Sequence, residues 1–202
     1  MAFVRKLPYK PRLTRDQRRS VIERMAAQLF AERGYDAVSI EEIAAAAEIT
    51  KPTLYDHFSS KQQLYDRLLQ TQSNEMVNYM ADRVNASRGT PAEQLRDVLD
   101  AFFAFVQEHP FAWQMLFREP PTDPKLAGAA RRIHQQASNN VAALLRRLEP
   151  SKRDLPERQL ELRAEGLKWA QQGLATWWYD HPEVTRAEIV EAVIAMSPVD
   201  LG

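Results

Sequence analysis

The sequence predicts an all-α chain of about nine helices, and three observations carry that expectation. Apolar residues recur at spacings of three and four along nearly the whole length, with little period-two alternation. Only six of 202 residues are glycine, too few for a chain dense in β-turns. The twelve prolines fall mainly where a helical pattern starts or stops.

The first helix is expected over 14–33. Thr14-Arg-Asp-Gln17 has capping-box form, Val21, Met25, Ala26, Leu29 and Phe30 form one stripe, and Gly34 supplies a left-handed stop. Ser39-Ile-Glu-Glu42 caps a short helix to 47, and Thr50 caps a third over 51–58 with Pro52 in its first turn. Ser60-Lys-Gln-Gln63 opens a long fourth helix to 85. After the break at 87–89, Thr90-Pro-Ala-Glu93 combines a capping box with proline at the first helical position, and that helix runs to 109. A short aromatic helix follows over 111–118, then a proline-rich loop at 120–124. A long helix carries Leu126, Ala130, Ile133, Ala137, Val141, Leu144 and Leu148. Past a charged loop at 149–156, two helices are expected over 157–179 and 186–197, the second capped by Thr185-Arg-Ala-Glu188.

Composition excludes several chemistries. Without cysteine there is no disulfide framework, thiolate metal site or cysteine nucleophile. The longest apolar run, 101–106, is far short of the ~20 residues of a membrane span, and basic residues and prolines interrupt 1–13 before a secretory pattern develops. A soluble cytoplasmic protein is the expectation. The histidines at 57, 109, 134 and 181 show no metal-ligand pairing, and no Gly-rich phosphate loop or nucleophile elbow is present. Neither enzyme, metal nor cofactor is therefore expected.

The formal net charge of zero conceals an asymmetry. Residues 1–24 hold eight basic and two acidic side chains, +6, whereas 25–70 and 71–202 each come to −3. A basic terminus of this kind suits contact with a polyanion, and equally suits a solvated tail kept for solubility. Two helices of about eight residues joined by a tight turn at 48–50 have helix-turn-helix proportions, in which the second helix presents its N-terminal end to the major groove. Ile40, Ile43, Ala44, Leu54 and Phe58 would face inward, leaving Lys51, Thr53, Tyr55 and His57 outward for phosphates or bases. Spacing alone is also compatible with an ordinary pair of short core helices.

The stretch from Ser39 to Leu64, reading Ser-Ile-Glu-Glu-Ile-Ala-Ala-Ala-Ala-Glu-Ile-Thr-Lys-Pro-Thr-Leu-Tyr-Asp-His-Phe-Ser-Ser-Lys-Gln-Gln-Leu, resembles the DNA-binding signature of TetR-type transcriptional regulators. Leu29-Phe-Ala-Glu-Arg-Gly-Tyr35 is similar to the end of that family's first helix. The likeness is specific over about 14–75 and only architectural beyond. It implies a basic arm (1–13), a DNA-binding domain (14–75) and a helical ligand-binding and dimerisation domain (76–202). It further implies that Thr50, Lys51, Pro52 and Thr53 open the recognition helix against bases and phosphates, and that Tyr55 and His57 contact backbone or adjacent bases. Lys61 would grip a phosphate at a helix N-terminus, and Ser39 would cap the scaffold helix and reach another. Arg15, Arg18 and Arg19, on the exposed side of the first helix, are further phosphate candidates. One departure stands out: Glu48 occupies the turn position where the family usually has glycine.

The remainder is expected to sense and dimerise. Phe103, Trp113 and Phe117, with His134 and Gln171 as polar anchors, are candidates for a small-molecule pocket between helices, although most such aromatics serve a core. Gly166, Ala170 and Gly173 make a small-residue ridge, and with Trp177 and an apolar face of Ile189, Val190, Val193 and Ile194 they suggest a four-helix pairing with a twofold copy. Intramolecular packing of the last helix is the alternative. The reading is a homodimeric repressor that binds a palindromic operator in double-stranded DNA and is released by an apolar or aromatic effector. Its rival is a helical interaction module that has lost DNA binding, for which Glu48 argues.

Overall fold

The computed structural model describes residues 13–117, 124–149 and 155–197; the basic arm, the loop at 118–123, most of the charged loop and the last five residues lie outside that set. Nine helices and no strand occur among the described residues: α1 (Arg15–Arg33), α2 (Ile40–Ala46), α3 (Lys51–Tyr55), α4 (Lys61–Ala86), α5 (Pro91–Glu108), α6 (Pro110–Phe117), α7 (Pro124–Leu148), α8 (Glu157–Tyr179) and α9 (Arg186–Met196).

The capping signals act as read. Thr14, Ser39, Thr90 and Thr185 each close a reciprocal capping box. Ser60 accepts from the Gln63 amide, but the Gln63 side chain turns instead to the Ser59 N–H at 2.6 Å. Gly34 ends α1 at φ 79°, its N–H donating to the Phe30 carbonyl at 2.8 Å. Helix α3 stops three residues before the expected end, because the His57 and Phe58 amides both turn back to the Leu54 carbonyl, which buries Phe58. Helix α6 begins one residue early, directly after the kink at His109 (φ −127°).

Two apolar cores result. Ile22, Phe30, Val38, Ile43, Leu54, Phe58, Leu64 and Leu68 of α1–α4 form the first, and Met115, Leu116 and Leu126 of α6 and α7 complete it. The second joins Leu95, Leu99, Phe102 and Phe103 of α5 to Leu145, Leu148, Leu160, Leu167 and Trp178 of α7 and α8.

The same core corrects the expected dimer face. Ile189, Val190 and Val193 are 3, 2 and 0 % exposed within the single chain, and Ile194 packs against the same cluster. Helix α9 lies across α5 with its apolar face inward, held by ion pairs Arg186–Asp100 (2.8 Å) and Arg96–Glu191, while the Trp178 indole donates to the Val184 carbonyl at 2.6 Å. Ile189, Val190 and Val193 are spent on the chain's own core, and Ile194 is half-buried beside them.

Candidate nucleic-acid interface and internal cavity

Helices α2 and α3 sit on the first core through Ile40, Ile43, Ala44 and Leu54, so their remaining side chains project outward. At the start of α3 the Thr50 hydroxyl accepts from the Thr53 amide at 3.3 Å and lies 2.9 Å from the Thr53 hydroxyl, which fixes the helix entrance. Pro52 and Tyr55 are exposed beside Lys51, whose ammonium lies 6.0 Å from the Tyr55 ring and pairs with Glu41 of α2. Ser39 is already committed: its hydroxyl accepts from the Glu42 amide and donates to the Glu42 carboxylate at 2.7 Å. That carboxylate also binds Arg33 at 2.8 Å, and the Ser39 N–H and hydroxyl hold its pKa down at about 2.

A cationic group forms where α1 meets the end of α3. Arg15 donates to the Asp56 carbonyl at 3.3 Å, and Arg15, Arg18 and Arg19 all act electrostatically on His57. Burial first, then Arg15 and Arg18, hold that imidazole below its ordinary range, with Asp56 opposing. Arg19 is also a structural group, pairing with Glu23 at 3.3 Å and lying 5.0 Å over the Phe58 ring. Lys61, at the first position of α4, lies 4.1 Å over the Tyr35 ring; partial burial lowers its pKa, against Asp36 and Glu42. The structure therefore places Arg15, Arg18, Arg19 and His57 together, and Lys51 with Tyr55.

Between α4, α5 and α7 lies a partly open cavity of about 400 Å³. Its floor is Leu95, Val98, Leu99 and Phe102 of α5, at one helical face, with Leu116, Phe117, Leu167 and Gln171 at the side. Of the five expected pocket residues only Phe117 and Gln171 line it. Phe103 points the other way, its ring against Phe102 and Trp178 in the second core. Trp113 is packed between Phe102 and Phe117, and His134 lies behind Phe117, stacked on Trp169. The polar lining comes instead from Ser73, Asn85, Gln136, Asn140 and Arg147. Arg147 donates to the Val84 carbonyl at 3.1 Å, and no acidic side chain lines the cavity among the described residues.

On the opposite side, α8 leaves Leu162, Trp169 and Trp177 at 65, 55 and 45 % exposure. A Cβ built at Gly166 or Gly173 would meet nothing within 4 Å, so no contact among the described residues accounts for those glycines.

Two family models match the chain: "Bacterial regulatory proteins, tetR family" over residues 22–68, and "Tetracyclin repressor-like, C-terminal domain" over residues 91–196. The chain belongs to the TetR family. Among its relatives, the HTH-type transcriptional activator FasR of Mycolicibacterium smegmatis is 31% identical over 137 residues, 67% of this chain and 62% of that protein. The HTH-type transcriptional repressor KstR2 of Mycobacterium tuberculosis is 34% identical over 94 residues, 46% of each. The chain thus spans about half to three-fifths of the length of these relatives, both named as transcriptional regulators and neither as an enzyme. A TetR-like regulator from Rhodococcus sp. RHA1 superposes with TM-score 0.74 at 27% identity, covering 90% of this chain and 94% of that one. FadR of Bacillus subtilis, in complex with stearoyl-CoA, shares the fold at TM-score 0.73 and 17% identity, covering 88% and 96%.

Within this TetR-family helix-turn-helix, Glu48 takes the positive φ that its position demands, 54°. The Ile49 amide donates to the Ala44 carbonyl at 2.9 Å and the Glu48 amide to Ala45 at 3.1 Å, the paired bonds of a Schellman stop with glutamate where glycine is usual. The turn is built with an L-residue rather than rerouted. Sequence reasoning missed Glu41 and Arg147. A first-turn glutamate and a last-turn arginine look like ordinary complements of a helix dipole. The available signal for Arg147 was its phase, since Gln136, Asn140 and Arg147 follow i, i+4, i+11 beside the apolar stripe Ile133, Ala137, Val141 and Leu144. No helix among the described residues is long and apolar enough to cross a membrane.

Proposed function

We propose that the chain is a homodimeric, ligand-responsive transcriptional repressor. It reads a palindromic operator through residues 39–58 and lets go when an effector fills the cavity. The observation that supports this reading is the group of Arg15, Arg18 and Arg19 around His57, at the end of a short helix whose start is capped by Thr50 and carries Lys51 and Pro52 exposed. Base edges are met by the start of α3, and the flanking cations and Tyr55 set its register on phosphates. Two such heads are held one operator turn apart by pairing of the α8 faces through Leu162, Gly166, Trp169, Ala170, Gly173 and Trp177; α9 supports that face from within. The test is a mobility shift with duplex from upstream of the chain's own gene. Tyr55→Ala and Lys61→Ala weaken binding of all sequences alike, and for about six neutralised phosphates per dimer log K falls with log salt at a slope of about −5. A slope near zero overturns the reading.

The cavity narrows the effector. Residues 133–147 of α7 and 73–85 of α4 run along its two sides, which makes it a slit ~20 Å long by helix rise. Its walls are mainly apolar, and Arg147, the one cation lining it among the described residues, stands at one end. An unbranched apolar chain with an anionic head fits that shape and charge, a class to which the stearoyl-CoA bound by the Bacillus subtilis neighbour also belongs. Arg147→Gln weakens a long-chain carboxylate about three- to tenfold and leaves the alcohol of equal length unchanged. Equal losses for both overturn the assignment of the head group. Effector binding costs DNA affinity by ~1–3 kcal/mol, the usual size of such coupling.

A further inference from the structure

Glu41 and Glu42 are neighbours with opposite fates. Glu42, at the third position of α2, is consumed by the Ser39 cap and by Arg33. Glu41, about 100° round the helix, takes no part in the box. It stands exposed on the outer surface and reaches across to Lys51, the first residue of the recognition helix. The two groups hold each other charged: the hydrogen bond from Lys51 lowers the Glu41 carboxyl, and the same contact raises the Lys51 ammonium. An exposed pair contributes little to folding. Its effect on a polyanion is larger, because it cancels the cation closest to the helix entrance and leaves a carboxylate beside it.

From this juxtaposition we infer that Glu41 is a specificity-determining residue, which withholds Lys51 from indiscriminate phosphate contact and favours DNA presenting an amino group beneath it. The inference rests on the DNA-binding reading above. An ionised carboxylate only accepts hydrogen bonds. In the major groove cytosine N4 and adenine N6 donate, whereas guanine O6 and N7 and thymine O4 accept. Where the duplex offers an amino group, Glu41 exchanges Lys51 for the base and the lysine turns to a phosphate. Elsewhere the carboxylate faces acceptors and phosphates, and the pair stays closed.

The experiment compares full-length wild type, Glu41→Gln, Lys51→Ala and the double variant on random-sequence duplex across a salt series. Selection from a random duplex library by wild type and Glu41→Gln accompanies it. Glu41→Gln is expected to bind random duplex more tightly and with a salt slope steeper by about 0.9 per reading head. For a dimer its advantage then shrinks about twelvefold between 50 and 200 mM salt. Lys51→Ala abolishes that advantage, and the selected sites lose a cytosine or adenine preference that wild type shows. An unchanged slope, an equal gain in the Lys51→Ala background, or an unaltered base preference overturns the inference while DNA binding stands. Failure of wild type to bind any duplex overturns both.

Discussion

Replacing Glu48 by glycine isolates the energy stored in the helix-turn-helix turn. The residue is held at φ 54° by two backbone bonds, Ile49 N–H to Ala44 and Glu48 N–H to Ala45, and both survive removal of the side chain. A left-handed conformation costs an L-residue about 1–2 kcal/mol through the clash of Cβ with the carbonyl oxygen, and glycine escapes it. Glycine returns about 0.4–1 kcal/mol of this through the greater freedom of its unfolded chain. The net expectation is a stabilisation of about 0.5–1 kcal/mol. In a chain of this size each kcal/mol shifts the midpoint by about 2–4 °C, so Glu48→Gly should melt about 1–4 °C above wild type. Far-ultraviolet circular dichroism at matched protein concentration reads this, since the proposed assembly would make the midpoint depend on concentration. Glu48→Ala is the control: it removes the carboxylate and keeps the Cβ, so it should not rise. If alanine raises the midpoint as much as glycine, or glycine lowers it, the stored energy lies in the carboxylate's surroundings and the backbone argument is wrong.

Val193→Ala removes a fully buried side chain from the chain's own core and should cost about 1–3 kcal/mol, lowering the midpoint while leaving the mass by light scattering unchanged. A Cβ at Gly173 meets no atom of the described residues within 4 Å, so Gly173→Ala should leave the far-ultraviolet spectrum intact and weaken the dimer by light scattering if α8 pairs closely with its copy. Burial raises the pKa of the Tyr65 hydroxyl to about 12, so its protonated form favours the folded state. Stability from this group is complete below pH ~10 and is lost as pH climbs toward 12, a slope that Tyr65→Phe removes in an alkaline titration of the midpoint. Glu42 behaves oppositely: its pKa is lowered from 4.5 to about 2, so its contribution is present above pH 4.5 and disappears as pH falls toward 2. Glu42→Gln should therefore flatten the acid limb of the same titration.

The parts of this molecule that were legible are those decided locally. A threonine or serine three residues before glutamate or glutamine announces a helix start because both partners lie within one turn, and four such boxes form as read. The inward residues of the helix-turn-helix, Ile40, Ile43, Ala44, Leu54 and Phe58, followed from spacing, and the resemblance of 39–64 to a known signature made the motif itself legible. What spacing left open was which partner an apolar face meets. Ile189, Val190 and Val193 read identically whether they face a twofold copy or α5, and only tertiary packing chose α5. Phe102 and Phe103 are likewise both aromatic and 100° apart, so a single step of helix phase moved the cavity wall from one to the other. Glu41 was hidden because its partner lies ten residues away across a turn.

Helix α6 shows why the division at residue 75 is too simple. Met115 and Leu116 belong to the first core with Leu54, Phe58 and Leu64, although they lie about forty residues beyond residue 75. Leu116 and its neighbour Phe117 also line the cavity, and Phe117 stacks on Trp113 of the second core at 4.6 Å. The one short helix therefore supplies packing to both cores and wall to the space between them. Interiors at crystal-like density do not absorb a shifted side chain gradually. A body that displaces Leu116 or Phe117 must repack the core under α1 and α4, or be excluded from the cavity. A sharp boundary between a reading domain and a sensing domain would supply no such constraint. If the proposed effector fills the slit, sharing α6 would make that filling and the seating of the recognition helix competing demands on the same few side chains.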